Sequence, residues 1–410
     1  MHGVPVRSGR SARDAHTVVR HDAGVPDEQD AQPPYDPTPQ DAQRPDGPHP
    51  QGGSIAPADR PSRRAMTLSI SMLVTAVLLA AVALLPAPYA VSSPGPTEDV
   101  LGKVDGSPLI TVDGATTYDS TGELRLTTVS ATGGPGYPST ALRVLRGWFS
   151  PWSVVQPREL LFPDRDQTQD DIDQQSAAQM TSSQENASVA ALTELGYEVP
   201  ATLVVAGTVE GSGAQGELED GDVLTAIDGT HLPDYQSLVT TMAAVTAGDD
   251  ITVTVRRQGR DVDLVIPTTA GDDGGAQMGV YIDPDFAMPV DITIDAGRIG
   301  GPSAGTMFAL GIIDLLTPQD EANGQVVAGT GTIDVTGEVG PIGGIRQKLA
   351  GAHRDGATWF LAPESNCDEV VGHVPDGLRV VAISTLHEAY EDVVAIGKGD
   401  AADLPTCTAS

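Results

Sequence analysis

Three hydrophobic patterns follow one another along the chain. Residues 1 to about 60 show no helical or strand spacing of apolar residues; Pro, Gly, Asp, Gln and His dominate. Such a segment cannot bury enough surface to offset the entropy lost on ordering, so residues 1–60 are expected to be a disordered tail. Ala65 to Leu85 then supplies 21 residues without a charge. As a helix they extend about 31 Å, which matches a bilayer core and predicts a transmembrane helix over 65–86. From about Thr97 onward short apolar runs alternate with polar and glycine-rich stretches, the pattern of folded domains.

Within that folded part, Leu124–Ser130 reads as a strand, Asp164–Asp173 as an acidic solvated loop, and Ala177–Leu195 as a helix. Residues 196–268 are organised differently. Leu203–Ala206 and Ile251–Arg256 are strand-like, and Gly221–Gly229 is a strand with turn signals at both ends. Ser237–Val245 is a short amphipathic helix, and Arg257–Asp261 fits a hairpin turn. Farther on, an apolar helical run follows Ala304, and strands are expected at Gln325–Ala328, Thr332–Val335, Trp359–Ala362 and Leu378–Ile383. A helix over Ile345–Ala352 and a final one over Leu386–Ile396 complete an α/β alternation.

Composition narrows the function classes. With 410 residues and 40% hydrophobic content the chain has room for two or three cored domains. A formal net charge of −33 argues against nucleic acid or an anionic membrane surface as a partner of the folded part. No Gly-x4-Gly-Lys-Ser/Thr pattern occurs, so substrate unfolding by ATP hydrolysis is not expected. Arg60, Arg63 and Arg64 flank the apolar segment on one side only. That asymmetry places the N-terminus in the cytoplasm and everything after about residue 88 outside the cell membrane.

The chemistry concentrates in two stretches. Gly300-Gly301-Pro302-Ser303-Ala304-Gly305 puts a serine after a tight turn and before an apolar helix, where unpaired backbone N–H groups point outward. Such donors serve either as caps or as an oxyanion site. Lys348 lies 45 residues later, one of only three lysines among 23 basic residues. It shares a helical face with Ile345, Leu349 and Ala352, the face expected to be buried. Unlike arginine, a desolvated lysine can shed its proton; lowering its pKa from ~10.4 to ~7.5 takes roughly 4 kcal/mol of environmental bias. The plainer alternative is an N-capping serine and a lysine that snorkels to solvent.

The segments Asp291–Asp295, Gly301–Gly305, Val327–Asp334, Gly340–Lys348 and Ala352–Gly356 resemble the proteolytic domain of Lon-type serine peptidases. The resemblance implies a Ser-Lys dyad with Ser303 as nucleophile and Lys348 as general base, Gly301 and Thr330 supporting them, and no cofactor or metal. Two positions depart from the ATP-dependent members: Gly300 replaces a common acidic residue, and Thr332 replaces a glutamate. Leu126–Ser130 and Ser183–Ala187 also look like the first half of such a domain, and Tyr89–Gly102 is similar to the post-anchor segment of a membrane-bound Lon-like subfamily. Residues 196–268 resemble a PDZ domain, best at Gly216–Asp222.

Together these readings give an α/β (α+β) Lon-type proteolytic domain, split into 97–195 and 275–400, with an inserted PDZ β-domain at 196–268 and one N-terminal transmembrane helix. The implied function is membrane-anchored, ATP-independent cleavage of extracytoplasmic proteins, with peptide C-termini or extended segments held at the PDZ groove. Lon-type domains commonly form rings, so a homo-oligomer is also implied.

Cys367 and Cys407, both beyond the anchor, suit a disulfide in an exported region; two free buried thiols are the alternative. Two other functions stay open. One is a non-catalytic PDZ scaffold of the cell envelope. The other is an α/β-hydrolase esterase, because Gly301-Pro-Ser303-Ala-Gly305 also satisfies Gly-x-Ser-x-Gly, with His353, His373 or His387 as base.

Overall fold

The computed structural model describes residues 62–408 except 105, 165, 272, 273 and 298. The tail expected over residues 1–60 lies outside the described residues. Helix α1 spans Arg63–Leu84, so the apolar helix begins two residues earlier than the uncharged run and takes two arginines into its first turn. It is long and apolar enough to cross a membrane, and none of it is buried by the rest of the protein.

Next come β1 (Tyr89–Asp99), β2 (Ile110–Asp113), β3 (Glu123–Thr132), α2 (Ala141–Trp148), β4 (Val154–Pro157) and α3 (Gln169–Glu194). The following stretch holds β5 (Ala201–Thr208), β6 (Val223–Ile227), α4 (Tyr235–Ala243), β7 (Asp250–Arg257), β8 (Arg260–Pro267) and β9 (Val280–Phe286). The chain ends with β10 (Asp291–Ile294), α5 (Gly305–Leu316), β11 (Val326–Gly329), α6 (Ile345–Arg354), β12 (Trp359–Pro363), β13 (Arg379–Ile383) and α7 (Leu386–Lys398).

One mixed sheet runs in the order β13-β12-β11-β3-β1-β4 and a second in the order β8-β7-β6-β5-β9. The first therefore joins strands from both sides of the second in sequence. Its β3 pairs in parallel with β11, Leu124 opposite Val327 and Leu126 opposite Gly329. The short β10 returns to pair with β2, another stitch between the flanking segments. Helix α5 is apolar nearly all round and correspondingly buried, with Met307, Phe308, Ile312 and Ile313 fully enclosed in the core shared with Leu124, Leu126 and Leu361. The second sheet has its own core, built on Leu203, Leu224, Ile227, Val253 and Ile266.

Several boundaries differ from expectation for identifiable reasons. The first sheet already includes Tyr89, so the folded part starts before residue 97. The acidic stretch ending at Asp173 is only partly a loop: Thr168 and Asp171 form a reciprocal capping box that starts α3 at Gln169. The second sheet does not end at 268, because β9 pairs along the whole of β5, from Thr208 opposite Val280 to Ala201 opposite Phe286. A segment starting at residue 275 thus begins inside that sheet. The strand expected over Thr332–Val335 is confined to Thr332–Ile333, where Asp334 turns the chain by accepting from the N–H groups of Thr336 and Glu338. Cys367 and Cys407 form a disulfide.

Candidate active site

Ser303 is held from three directions. Gly301, in a left-handed conformation at φ +84°, donates its N–H to the Ser176 carbonyl of α3 at 3.0 Å. Ser183 of α3 donates its hydroxyl to the Pro302 carbonyl at 2.9 Å. The Ser303 carbonyl itself accepts from the Thr330 hydroxyl at 2.9 Å and from the Gly331 N–H at 3.0 Å. Gly300 is packed so closely on α3 that a Cβ there would lie 2.5 Å from the Ser176 hydroxyl. Helix α5 starts after Ala304, which offers no side-chain cap, so Ser303 does not cap it.

Lys348 arrives from the opposite side on α6. That helix starts from Gly344, whose φ of +74° and approach to Val129, 2.8 Å from a would-be Cβ, both require glycine. Ile345, Leu349 and Ala352 bury the same helical face, and Lys348 is 2% exposed. Its amine makes three contacts: the Thr127 carbonyl at 3.0 Å, the Thr330 hydroxyl at 2.8 Å and the Ser303 hydroxyl at 2.8 Å. Loss of hydration in this pocket lowers its pKa to about 7. The snorkelling alternative therefore does not hold.

The partners fix the direction of each bond. The Thr127 carbonyl can only accept, and the Thr330 hydroxyl, which donates to the Ser303 carbonyl, must accept from the amine. A neutral amine has two hydrogens and one lone pair. With both hydrogens engaged, the lone pair faces the Ser303 hydroxyl, the arrangement a general base needs. Among the described residues no acceptor meets the Ser303 and Ala304 N–H groups at the α5 N-terminus, so they are available to an oxyanion. The pair opens into a cleft of about 730 Å³ bounded by Thr127–Val129 of β3 and by Ala296, Gly297 and Ile299 to Gly301.

Thr330, placed by sequence near the lysine, touches both members of the pair. Thr330→Val is expected to lower turnover about 10–100-fold with little change in substrate affinity, because one amine hydrogen loses its acceptor and the lone pair can rotate away from Ser303. A kcat within twofold of the parent would exclude this positioning role.

Thr127 and Ser183 lie in the Leu126–Ser130 and Ser183–Ala187 segments already likened to a proteolytic domain, but sequence reasoning gave neither them nor Ser176 a role. The available signal for the serines was polar residues recurring on the buried side of α3: Ser183 and Ser188 are buried, and Gln184 and Asn186 donate to the Ile294 and Ile333 carbonyls. The hydrolase-elbow alternative fails on geometry. Strand β10 ends at Ile294 and a loop intervenes before Ser303, and among the described residues the Ser303 hydroxyl meets the Lys348 amine and none of His353, His373 or His387.

A second cleft, about 570 Å³, lies between α4 and β9, with Leu238, Met242, Met278 and Ile282 in its wall. Strand β9 is the outer strand of its sheet, so one row of its backbone groups borders this groove. Nine residues after Ile294, the chain leaving β9 through β10 reaches Ser303.

An α/β domain that sets a serine hydroxyl against a desolvated lysine amine has the equipment of a Ser-Lys hydrolase. Comparison with known proteins agrees in kind. Residues 277–396 match the Lon protease (S16) C-terminal proteolytic domain, and residues 180–268 match the PDZ domain. Lon protease 1 of Bacillus subtilis is 38% identical over 117 residues, which cover 27% of this chain and 15% of that protein. The mitochondrial Lon protease homologue of Debaryomyces hansenii is 34% identical over 113 residues, 27% of this chain and 10% of that protein. Lon protease of Clostridioides difficile is 35% identical over 120 residues, 28% and 15% of the two chains. The matched region is thus at most 15% of each of these relatives. This chain carries a Lon-type proteolytic domain and a PDZ domain.

Proposed function

We propose that the protein is a membrane-anchored, ATP-independent serine endopeptidase that cleaves extracytoplasmic proteins. Ser303 attacks the peptide carbonyl, and neutral Lys348 accepts its proton and passes it to the leaving amine. The Ser303 and Ala304 N–H groups bind the oxyanion, and water then releases the acyl-enzyme. The observation that carries this reading is the 2.8 Å contact between a serine hydroxyl and an amine whose burial favours the neutral form. The anchor reading rests on α1 and the arginines at its start, which favour a cytoplasmic N-terminus. The α4–β9 groove suits an extended peptide added as a further strand, which selects substrates or sets the activity of the nearby serine.

The test is a pH–rate profile on an unstructured protein substrate without nucleotide. The value of kcat/KM is expected to rise through pH 7 as Lys348 loses its proton, then to level off. A peptidyl electrophile should add its mass to the peptide containing Ser303. A flat profile from pH 5.5 to 8.5, or label on another residue, would reject the mechanism.

A further inference from the structure

The segment after the apolar helix carries a cluster of large apolar side chains that the protein itself leaves uncovered. Leu142 and Leu145 are each 47% exposed, Trp148 61%, Phe149 82% and Leu160 72%. In α2 the exposed Leu142, Leu145 and Trp148 lie on one arc, Val144 and Gly147 face the sheet, and Arg143 and Arg146 fill the remaining arc. Residues 133–163 contain three arginines and one glutamate, a basic island in a chain of net charge −33.

The position of this cluster is tied to α1. Ala141, the first residue of α2, donates its N–H to the Leu85 carbonyl at 3.0 Å, and Ala87 donates to the Ser139 carbonyl at 2.8 Å. Arg158, two residues before Leu160, donates to the Pro88 carbonyl at 3.3 Å. Trp148 packs edge-on against Tyr89 at 5.9 Å between ring centres. The exposed apolar side chains therefore gather around the residues through which the chain leaves its apolar helix.

We infer that α2 and the adjoining Trp148-Phe149 segment dock on the bilayer that α1 crosses, with the apolar arc at the acyl boundary and Arg143 and Arg146 among anionic lipid headgroups. The inference rests on the anchor reading above. Short amphipathic helices with aromatic and leucine side chains on one arc and arginines beside it occupy this depth, and tryptophan favours it because its ring is apolar with a polar N–H. A two-fold contact between protein copies would bring the four arginines together, whereas anionic headgroups neutralise them. Docking would hold the proteolytic domain close to the membrane surface.

The experiment uses the full chain reconstituted in vesicles of phosphatidylglycerol and phosphatidylcholine, with Trp148 left as sole tryptophan by Trp152→Phe and Trp359→Phe. Lipid brominated high on the acyl chain is expected to quench at least half of the Trp148 emission, and Phe149→Asp with Leu145→Asp should reduce that quenching at least twofold. Should the sole-tryptophan chain misfold, the difference between the native chain and Trp148→Phe reports the same quantity. Quenching by aqueous acrylamide but not by bromolipid would overturn the inference. So would protection from both that disappears on diluting the protein in lipid, which marks a contact between copies. Flotation with the vesicles after carbonate washing reads the anchor separately: a chain that floats with unquenched Trp148 refutes docking alone, and one that does not float refutes both.

Discussion

Replacing Ser303 by alanine or Lys348 by methionine is expected to lower peptide hydrolysis about 10⁴-fold or more, and the double variant should be no slower than either single one. In the proposed mechanism the two groups act on one proton, so removing either leaves only binding and the oxyanion donors. Ser303→Ala removes a half-buried hydroxyl whose contact is the Lys348 amine, while the carbonyl bonds from Thr330 and Gly331 remain to hold the loop. Lys348→Arg should be inactive as well, since a guanidinium keeps its proton in the pocket that brings lysine to about 7. Rates on a quenched-fluorescence peptide, with circular dichroism to verify folding, check this. A Ser303→Ala protein within tenfold of the parent would remove the proposed nucleophile.

Stability should depend on pH in an unusual range. The Lys348 amine has a folded pKa of about 7 against roughly 10.4 in the unfolded chain, so between those values the unfolded state holds a proton that the folded state lacks. Unfolding free energy therefore rises with pH across that window, by on the order of 5 kcal/mol from this group. Burying the lysine is most costly at and below pH 7 and nearly free of cost above 10. Lys348→Met should accordingly be several kcal/mol more stable than the parent at pH 6, and the two should converge near pH 10. Urea midpoints in detergent micelles at pH 6, 8 and 10 read this directly. Parallel curves for parent and variant would mean that the amine is hydrated in solution.

Much of the secondary structure was legible because its signals are local. The uncharged run marked α1, the turn residues around Arg257–Asp261 marked the β7–β8 hairpin, and apolar spacing marked α5 and the buried face of α6. Where expectation and structure part, a partner distant in sequence or an unrecognised cap is responsible. Strand β9 reads equally well as the start of the following segment, and only its pairing with β5 assigns it to the second sheet. Helix α2 is short, and its exposed leucines and aromatics make no core pattern. The acidic start of α3 looks like solvated loop until Asp171 is recognised as half of a capping box.

The amino-acid order by itself settled which side chains are available for chemistry: a serine between glycine-rich turn and helix, and a lysine on an otherwise apolar helical face. Tertiary structure decided whether they meet and in what protonation state. The lysine's environment is assembled from β3, the residue after β11 and the Ser303 loop, which α3 braces through Ser176 and Ser183. Periodicity reports which way a side chain faces along its own element. The hydration lost by an amine and the acceptors left for its hydrogens depend on neighbours up to 221 residues away, as with the Thr127 carbonyl, and exist only once the sheet has closed.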